Sequence, residues 1–224
     1  MLMNKWVRLP SGWIESQGLR KLRWGKHGGS GSTAALMVLA PIGHFANPAD
    51  GVAHLTYDQL QVATGLSRAK ISEGLGLLTE LEIIARSSDR RSTFAIQSYG
   101  PPEAGGWAKF PTRQMYNAAG NIIAFEDFKL RSRAELEALK LFYLFVARRA
   151  NDTNMANISY DKIEDYTGID RKRIKIALSV LTTNNMVHVE QLPRSSGDHG
   201  ISYAYRVVGI DPHVHQGTRN RRTL

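Results

Sequence analysis

The stretch LTYDQLQVATGLSRAKI (residues 55–71) occurs a second time, as ISYDKIEDYTGIDRKRI (residues 158–174). The two copies align without a gap at an offset of 103 residues, and six of their seventeen positions are identical. At nearly the same offset, WVRLPS (residues 6–11) matches WAKFPT (residues 107–112). A repeat of this length has the size of a domain, so the chain is predicted to contain two copies of one domain.

The repeat also sets the expected domain boundaries. A first domain is predicted at residues 1–103 and a second at residues 104–211, with a basic, mobile tail at residues 212–224. GPPEAGG (residues 100–106) is rich in residues that interrupt regular structure, which favours a hinge between the two copies. A second glycine-rich stretch, GKHGGSGST (residues 25–33), is predicted to be a flexible loop, because its Lys precedes the glycines instead of following them as in a phosphate-binding loop.

Each copy contains the same order of local signals. An apolar helix comes first, and a short helix follows with Thr56 or Ser159 as its N-cap. A Thr-Gly turn then leads to a third helix, capped by Ser67 in one copy and by Asp170 in the other. Two strand-like segments around a polar tip complete each copy. The sequence therefore predicts an α+β fold, mainly α, with three helices and a β-hairpin in each copy.

This order of elements resembles the winged helix-turn-helix. The resemblance lies in TYDQLQVATGLSRAKISEGLGLL and SYDKIEDYTGIDRKRIKIALSVL, together with the hairpins that follow them. Two such units in one basic chain are similar to plasmid replication initiators, many of which are tandem winged-helix proteins. The resemblance implies two tandem winged-helix domains that bind double-stranded DNA sequence-specifically. The implied role is replication initiation or transcriptional control of a plasmid or other mobile element.

The positive net charge of the chain favours a polyanionic partner. The net charge is +9 and the sequence pI is about 9.9, which favours nucleic acid or an anionic membrane surface. Absence of cysteine rules out disulfides and is compatible with a reducing compartment. The longest apolar run is far short of the roughly 20 residues that span a bilayer. We therefore expect a cytoplasmic protein without a membrane partner.

The helix after Asp170 is the strongest candidate for contact with DNA. If Ile174 and Leu178 face inward, its basic residues fall on the open side, with Arg173 nearer the edge. The second helix of a helix-turn-helix lies in the major groove and reads bases with its N-terminal residues. Basic hairpin tips are expected to contact the backbone or the minor groove. The candidate DNA-binding residues are Ser67, Arg68, Lys70, Arg90, Arg91, Arg171, Lys172, Arg173, Lys175 and Arg194.

Other interpretations stay open at this stage. A basic helix face is often merely solvated. The third helix of the first copy has fewer basic residues than that of the second, which would fit a scaffold that binds protein partners in DNA segregation or replication. The stripe from Leu136 to Val146 is typical of a core helix or of a homodimer interface. His213 and His215 have the spacing of a metal-dependent nickase pair, but they lie beside the C-terminus. We predict no enzymatic activity and no cofactor.

Overall fold

The computed structural model describes residues 4–25, 29–87, 90–101, 103, 106–193 and 201–210. The chain is mixed α and β, about 48% helical, with small antiparallel sheets, which confirms the predicted class in its coarse form. The first repeat contains β1 (Trp6–Pro10), α1 (Gly12–Glu15), α2 (Gly29–Phe45), β2 (Val52–His54), α3 (Tyr57–Thr64), α4 (Arg68–Glu80), β3 (Ile84–Arg86) and β4 (Thr93–Ile96). The second contains β5 (Trp107–Pro111), α5 (Arg133–Arg148), β6 (Met155–Asn157), α6 (Tyr160–Thr167), α7 (Arg171–Thr183), β7 (Val187–Pro193) and β8 (Ile201–Val207).

The repeated Thr-Gly pair builds the turn between the two short helices. Thr64 Oγ1 donates to the carbonyl of Leu60 at 2.6 Å and accepts from the amide of Leu66 at 3.3 Å. Thr167 makes the same two bonds in the second copy, at 2.6 Å and 3.1 Å. Gly65 and Gly168 then adopt φ values of 69° and 67°, the left-handed conformation that favours glycine. These identities therefore preserve one turn geometry in both repeats.

The predicted helix starts and hairpins are present. Thr56 forms a capping box with Gln59, and the side chains of Ser159, Ser67 and Asp170 each accept an amide hydrogen bond as N-caps. Each hairpin gains a third strand that the sequence pattern did not indicate, giving the orders β2-β4-β3 and β6-β8-β7. Those added strands, VAH and MAN, are three residues long, too short to show an alternating pattern.

The two long helices form the centre of the core. Leu136 to Val146 on α5 are buried, so the predicted stripe is a core stripe. The Tyr143 hydroxyl donates to the carbonyl of Leu36 on α2 at 2.8 Å, and Phe145 stacks on Tyr205 with ring centroids 4.3 Å apart. Buried residues from both repeats belong to one continuous cluster, which crosses the boundary predicted at residues 103 and 104.

An internal two-fold relation connects the repeats. Strands β1 and β5 pair antiparallel with Arg8 opposite Lys109, which are equivalent positions of the repeat. Trp6 therefore faces Pro111 and Pro10 faces Trp107, as in a symmetric dimer interface. The equivalent Trp6 and Trp107 rings stack with their centroids 6.2 Å apart.

The segment that follows β1 lies against the second repeat, and the segment that follows β5 lies against the first. We call these two stretches, between β1 and α2 and between β5 and α5, the connecting segments. Arg20 Nη1, from the first repeat, donates to the carbonyl of Asp165 on α6 at 2.8 Å. Conversely, the amide of Ile122, from the second repeat, donates to the carbonyl of Ala63 on α3 at 2.9 Å. The pair of short helices in each repeat, α3 with α4 and α6 with α7, is therefore supported by the connecting segment of the other repeat.

The glycines at residues 25–33 and on α4 have roles that the sequence did not indicate. The predicted loop at residues 25–33 is wrong for Gly29 to Thr33, which form the first turn of α2, while residues 26–28 lie outside the described part of the chain. On α4, a Cβ at Gly74 would lie 2.9 Å from backbone atoms of Ala34 and Ala35 on α2. Gly74 thus permits close packing of the two helices, whereas a Cβ at Gly76 would meet no atom within 4 Å.

Candidate nucleic-acid interface

Helix α7 presents a basic face to solvent. Its apolar residues Ile174, Leu178 and Leu181 are buried, and Arg171, Lys172 and Lys175 are exposed on the other side, with Arg173 half-buried. The helix contains four basic residues and no acidic residue. Within the described part of the chain, Lys172 and Lys175 have no ion-pair partner, so their full charges are available to an external anion.

An exposed ion pair is repeated in both copies. Arg171 pairs with Asp161, and Arg68 pairs with Asp58 ten residues before it in the same way. The Arg171 guanidinium also lies 6.0 Å from the centroid of the Tyr160 ring. Because both pairs are well exposed, each contributes roughly 0.2–1 kcal/mol. The pair orients the arginine at the start of the helix and leaves it accessible.

Arg173 is bound within the protein instead. Its Nε donates to both oxygens of Glu137 on α5 at 2.9 Å, and the Glu137 side chain is almost fully buried. Arg133 Nε donates to the same carboxylate at 2.7 Å. These hydrogen bonds from the guanidinium to Glu137 raise the pKa of Arg173. Arg173 thus joins α7 to α5, a role that the sequence pattern did not indicate.

The corresponding face of α4 carries less positive charge. Its two basic residues are balanced by Glu73 and Glu80 within the same helix. Lys70 is half-buried, donates to the Ser30 hydroxyl at 2.8 Å and pairs with Glu73. Ser67 uses its hydroxyl to accept the amide of Lys70 as the N-cap. Arg68 is therefore the exposed cation at the start of this helix.

The first hairpin carries two further exposed basic residues. Arg90 and Arg91 are exposed at the tip between β3 and β4. Arg194, and with it the tip between β7 and β8, lies outside the described residues, as does the tail with His213 and His215. On the second hairpin Tyr203 is 48% exposed. It lies near Tyr160, whose pKa is raised by burial and by Tyr203.

Sequence reasoning missed two apolar residues of this surface. Ile176, which follows Lys175 on α7, is 50% exposed, and Tyr203 is exposed near Tyr160. The sequence did indicate that Ile176 is exposed, since its position falls on the polar side of the helical pattern.

Other classes of site have little support in the described residues. Among the residues that the structure describes, no group of three or more His, Asp or Glu is arranged to hold a metal ion. No helix in this part of the chain has the length and apolarity needed to cross a membrane.

Comparison with known proteins gives no family for this chain. It matches no protein-family model, and neither the curated proteins nor the solved structures contain a match to it.

Proposed function

We propose that the chain binds double-stranded DNA sequence-specifically through two winged helix-turn-helix units, one in each repeat. The supporting feature is the order of elements in each copy: three helices, a glycine turn between the second and third, and a three-stranded hairpin sheet. In this proposal α7 and α4 enter major grooves, and the hairpins are the wings. We place the protein in the cytoplasm, in replication initiation or transcriptional control of a plasmid or other mobile element.

The observation that carries the proposal is the charge on α7. Four basic residues lie within five positions at its start, and Lys172 and Lys175 project to solvent without a partner among the described residues. Arg171 and Arg173 are paired with Asp161 and Glu137, so the charges that stay uncompensated are those of Lys172 and Lys175, on one face of the helix. Phosphate oxygens and guanine edges in a major groove would compensate these charges, which is the physical reason for preferring DNA.

The direct test removes these two charges. Lys172→Ala/Lys175→Ala should weaken DNA binding by about ten-fold or more at low salt and lower the salt slope of log K by about 2. Both side chains are exposed, so folding should be unchanged. The matched control, Lys5→Ala/Arg113→Ala, removes two exposed charges near β1 and β5.

Fluorescence anisotropy with a DNA selected from a random pool gives both quantities across a salt series. An equal affinity and an equal salt slope for the α7 variant and the wild-type protein would refute the proposal. Loss of binding in the control to the same extent would show that only total charge matters.

A second function is favoured by one observation. The face of α4 has balanced charge, and Val62 on the neighbouring α3 is 49% exposed. A winged helix with this surface suits a protein partner in DNA segregation or replication better than it suits a phosphate backbone. In that case Arg68→Ala would leave DNA affinity unchanged and would weaken capture of the partner.

A further inference from the structure

Two cavities occupy equivalent places in the repeats. One, of about 270 Å³, is lined by Arg20, Arg23, Arg133, Glu137, Lys140 and Gly168. The other, of about 510 Å³, is lined by Ser30, Gly65, Lys70, Glu126, Lys129 and Arg131. Gly168, in the turn before α7, forms one wall of the smaller cavity, and Gly65, in the turn before α4, forms one wall of the larger cavity. The opposite wall comes from the connecting segment of the other repeat.

The equivalence extends to individual residues. Gly168 corresponds to Gly65 and Arg133 to Ser30 at the offset of 103 residues, and each pair lines the matching cavity. Arg20 and Arg23 come from the first repeat but lie beside the helix-turn-helix of the second. Both cavities are therefore products of the segment exchange, and neither exists within a single repeat.

Positive charge dominates both cavities. Four basic residues and one carboxylate line the smaller one, and that carboxylate, Glu137, already accepts from Arg133 and Arg173. Three basic residues and one carboxylate line the larger one. The smaller cavity therefore keeps a net positive charge after its internal ion pairs are formed.

Lys140 lies at the base of the smaller cavity. It is 5% exposed, and its Nζ donates to the carbonyl of Leu22 at 3.0 Å, although an ammonium group has three donors. Burial is the main reason that the pKa of Lys140 is lowered to about 8; Glu137 opposes this shift, and the nearby Arg133, Arg20 and Arg23 add to it. An anion in the cavity would relieve both the repulsion and the incomplete hydrogen bonding.

We propose that each cavity receives a backbone phosphate of the DNA, so that the half-site read by one repeat is also held by the connecting segment of the other. This inference rests on the proposed function. A free nucleotide or inorganic phosphate has the same chemistry, but the position of the cavities favours the backbone. The wall formed by Gly168 and Ile169 directly precedes α7, and a helix seated in the major groove brings the preceding turn to the phosphates.

Arg23 gives the sharpest test, because it lines the cavity and has few other contacts. Its Nε lies 3.5 Å from the carbonyl of Arg20, at the limit of a hydrogen bond. Arg20 is less suitable, since it also fixes α6. Lys21 is the matched control: it is exposed, carries the same charge two residues earlier and lines neither cavity.

With the selected DNA, Arg23→Ala should weaken binding by about ten-fold at low salt and lower the salt slope by about 1. Lys21→Ala should stay within about two-fold of the wild-type protein. In ethylation interference, Arg23→Ala should lose sensitivity at a phosphate that flanks the bases contacted by α7, although Arg23 belongs to the first repeat.

Three results would overturn the inference. The first is equal behaviour of Arg23→Ala and Lys21→Ala while the α7 double variant still loses binding, which leaves the proposed function intact. The second is an effect of Arg23→Ala confined to phosphates beside the half-site of α4. The third is calorimetric binding of inorganic phosphate or a nucleoside triphosphate that Arg23→Ala abolishes without any change in DNA affinity. Absence of DNA binding by the wild-type protein would instead refute the proposed function itself.

Discussion

Acidification should destabilise the junction of the two repeats through a single histidine. His44 on α2 is buried, its ring stacks on Phe110 of β5 at 4.7 Å, and its Nδ1 lies 2.7 Å from the Tyr116 hydroxyl oxygen. Burial raises the pKa of Tyr116, so the hydroxyl stays protonated and donates to a neutral His44. Burial also lowers the pKa of His44 to about 3, against a smaller opposing effect of the Pro111 backbone.

The sign and size of the effect follow from linkage. The unfolded chain binds a proton on His44 below pH 6.5, and the folded protein does not do so until about pH 3. The stabilisation is therefore fully present above pH 6.5 and is lost as the pH falls. The loss begins near pH 6.5 and amounts to about 1.4 kcal/mol for each pH unit below that value. The free energy of unfolding therefore falls by roughly 3 kcal/mol between pH 7 and pH 4.

His44→Gln isolates this contribution, because glutamine keeps an acceptor for Tyr116 and does not titrate. Urea unfolding followed by tryptophan fluorescence at pH 7, 6, 5 and 4 gives the free energy of unfolding of both proteins. The variant should be less stable at pH 7, and its deficit should shrink by roughly 3 kcal/mol by pH 4. Protonation of the carboxylates affects both proteins alike. Parallel pH profiles of the two proteins would refute this account of His44.

Two further predictions concern the helix packing and the DNA site. Gly74→Ala should destabilise the protein by about 1–3 kcal/mol, because its Cβ would press on the α2 backbone, whereas Gly76→Ala should stabilise it by about 1 kcal/mol. Urea unfolding measures both, and equal effects would contradict the packing argument. The two-fold relation centred on Arg8 and Lys109 predicts that sequences selected from a random pool contain two inverted half-sites of unlike sequence. Direct repeats of one half-site would contradict that orientation.

Local structure was largely predictable from the sequence. The caps at Thr56 and Asp170 and the glycine turns act over three or four residues, so their signals lie next to one another in the chain. The apolar stripe of α5 was equally clear, since a buried helix shows its period over several turns. The exposed positions of Lys172 and Lys175 follow from the same period once Ile174 and Leu178 face the core.

Contacts between distant segments were decided by tertiary structure. Arg173 is joined to Glu137 across 36 residues, and nothing in the local pattern distinguishes it from Lys172. Likewise, Arg20 and Arg23 lie in a segment without a regular period, yet they reach the turn before α7 more than 140 residues later.

The sequence by itself determined that two similar units exist and that each contains a helix that begins with an arginine after a glycine turn, because these features are local and are repeated. Tertiary structure alone decided how the units join. The pairing of β1 with β5 and the exchange of the segments after them depend on burial and hydrogen bonds between residues that are far apart in the chain, such as Arg20 and Asp165. Such contacts leave no periodic trace in the chain, since each side is satisfied only when the other is already in place.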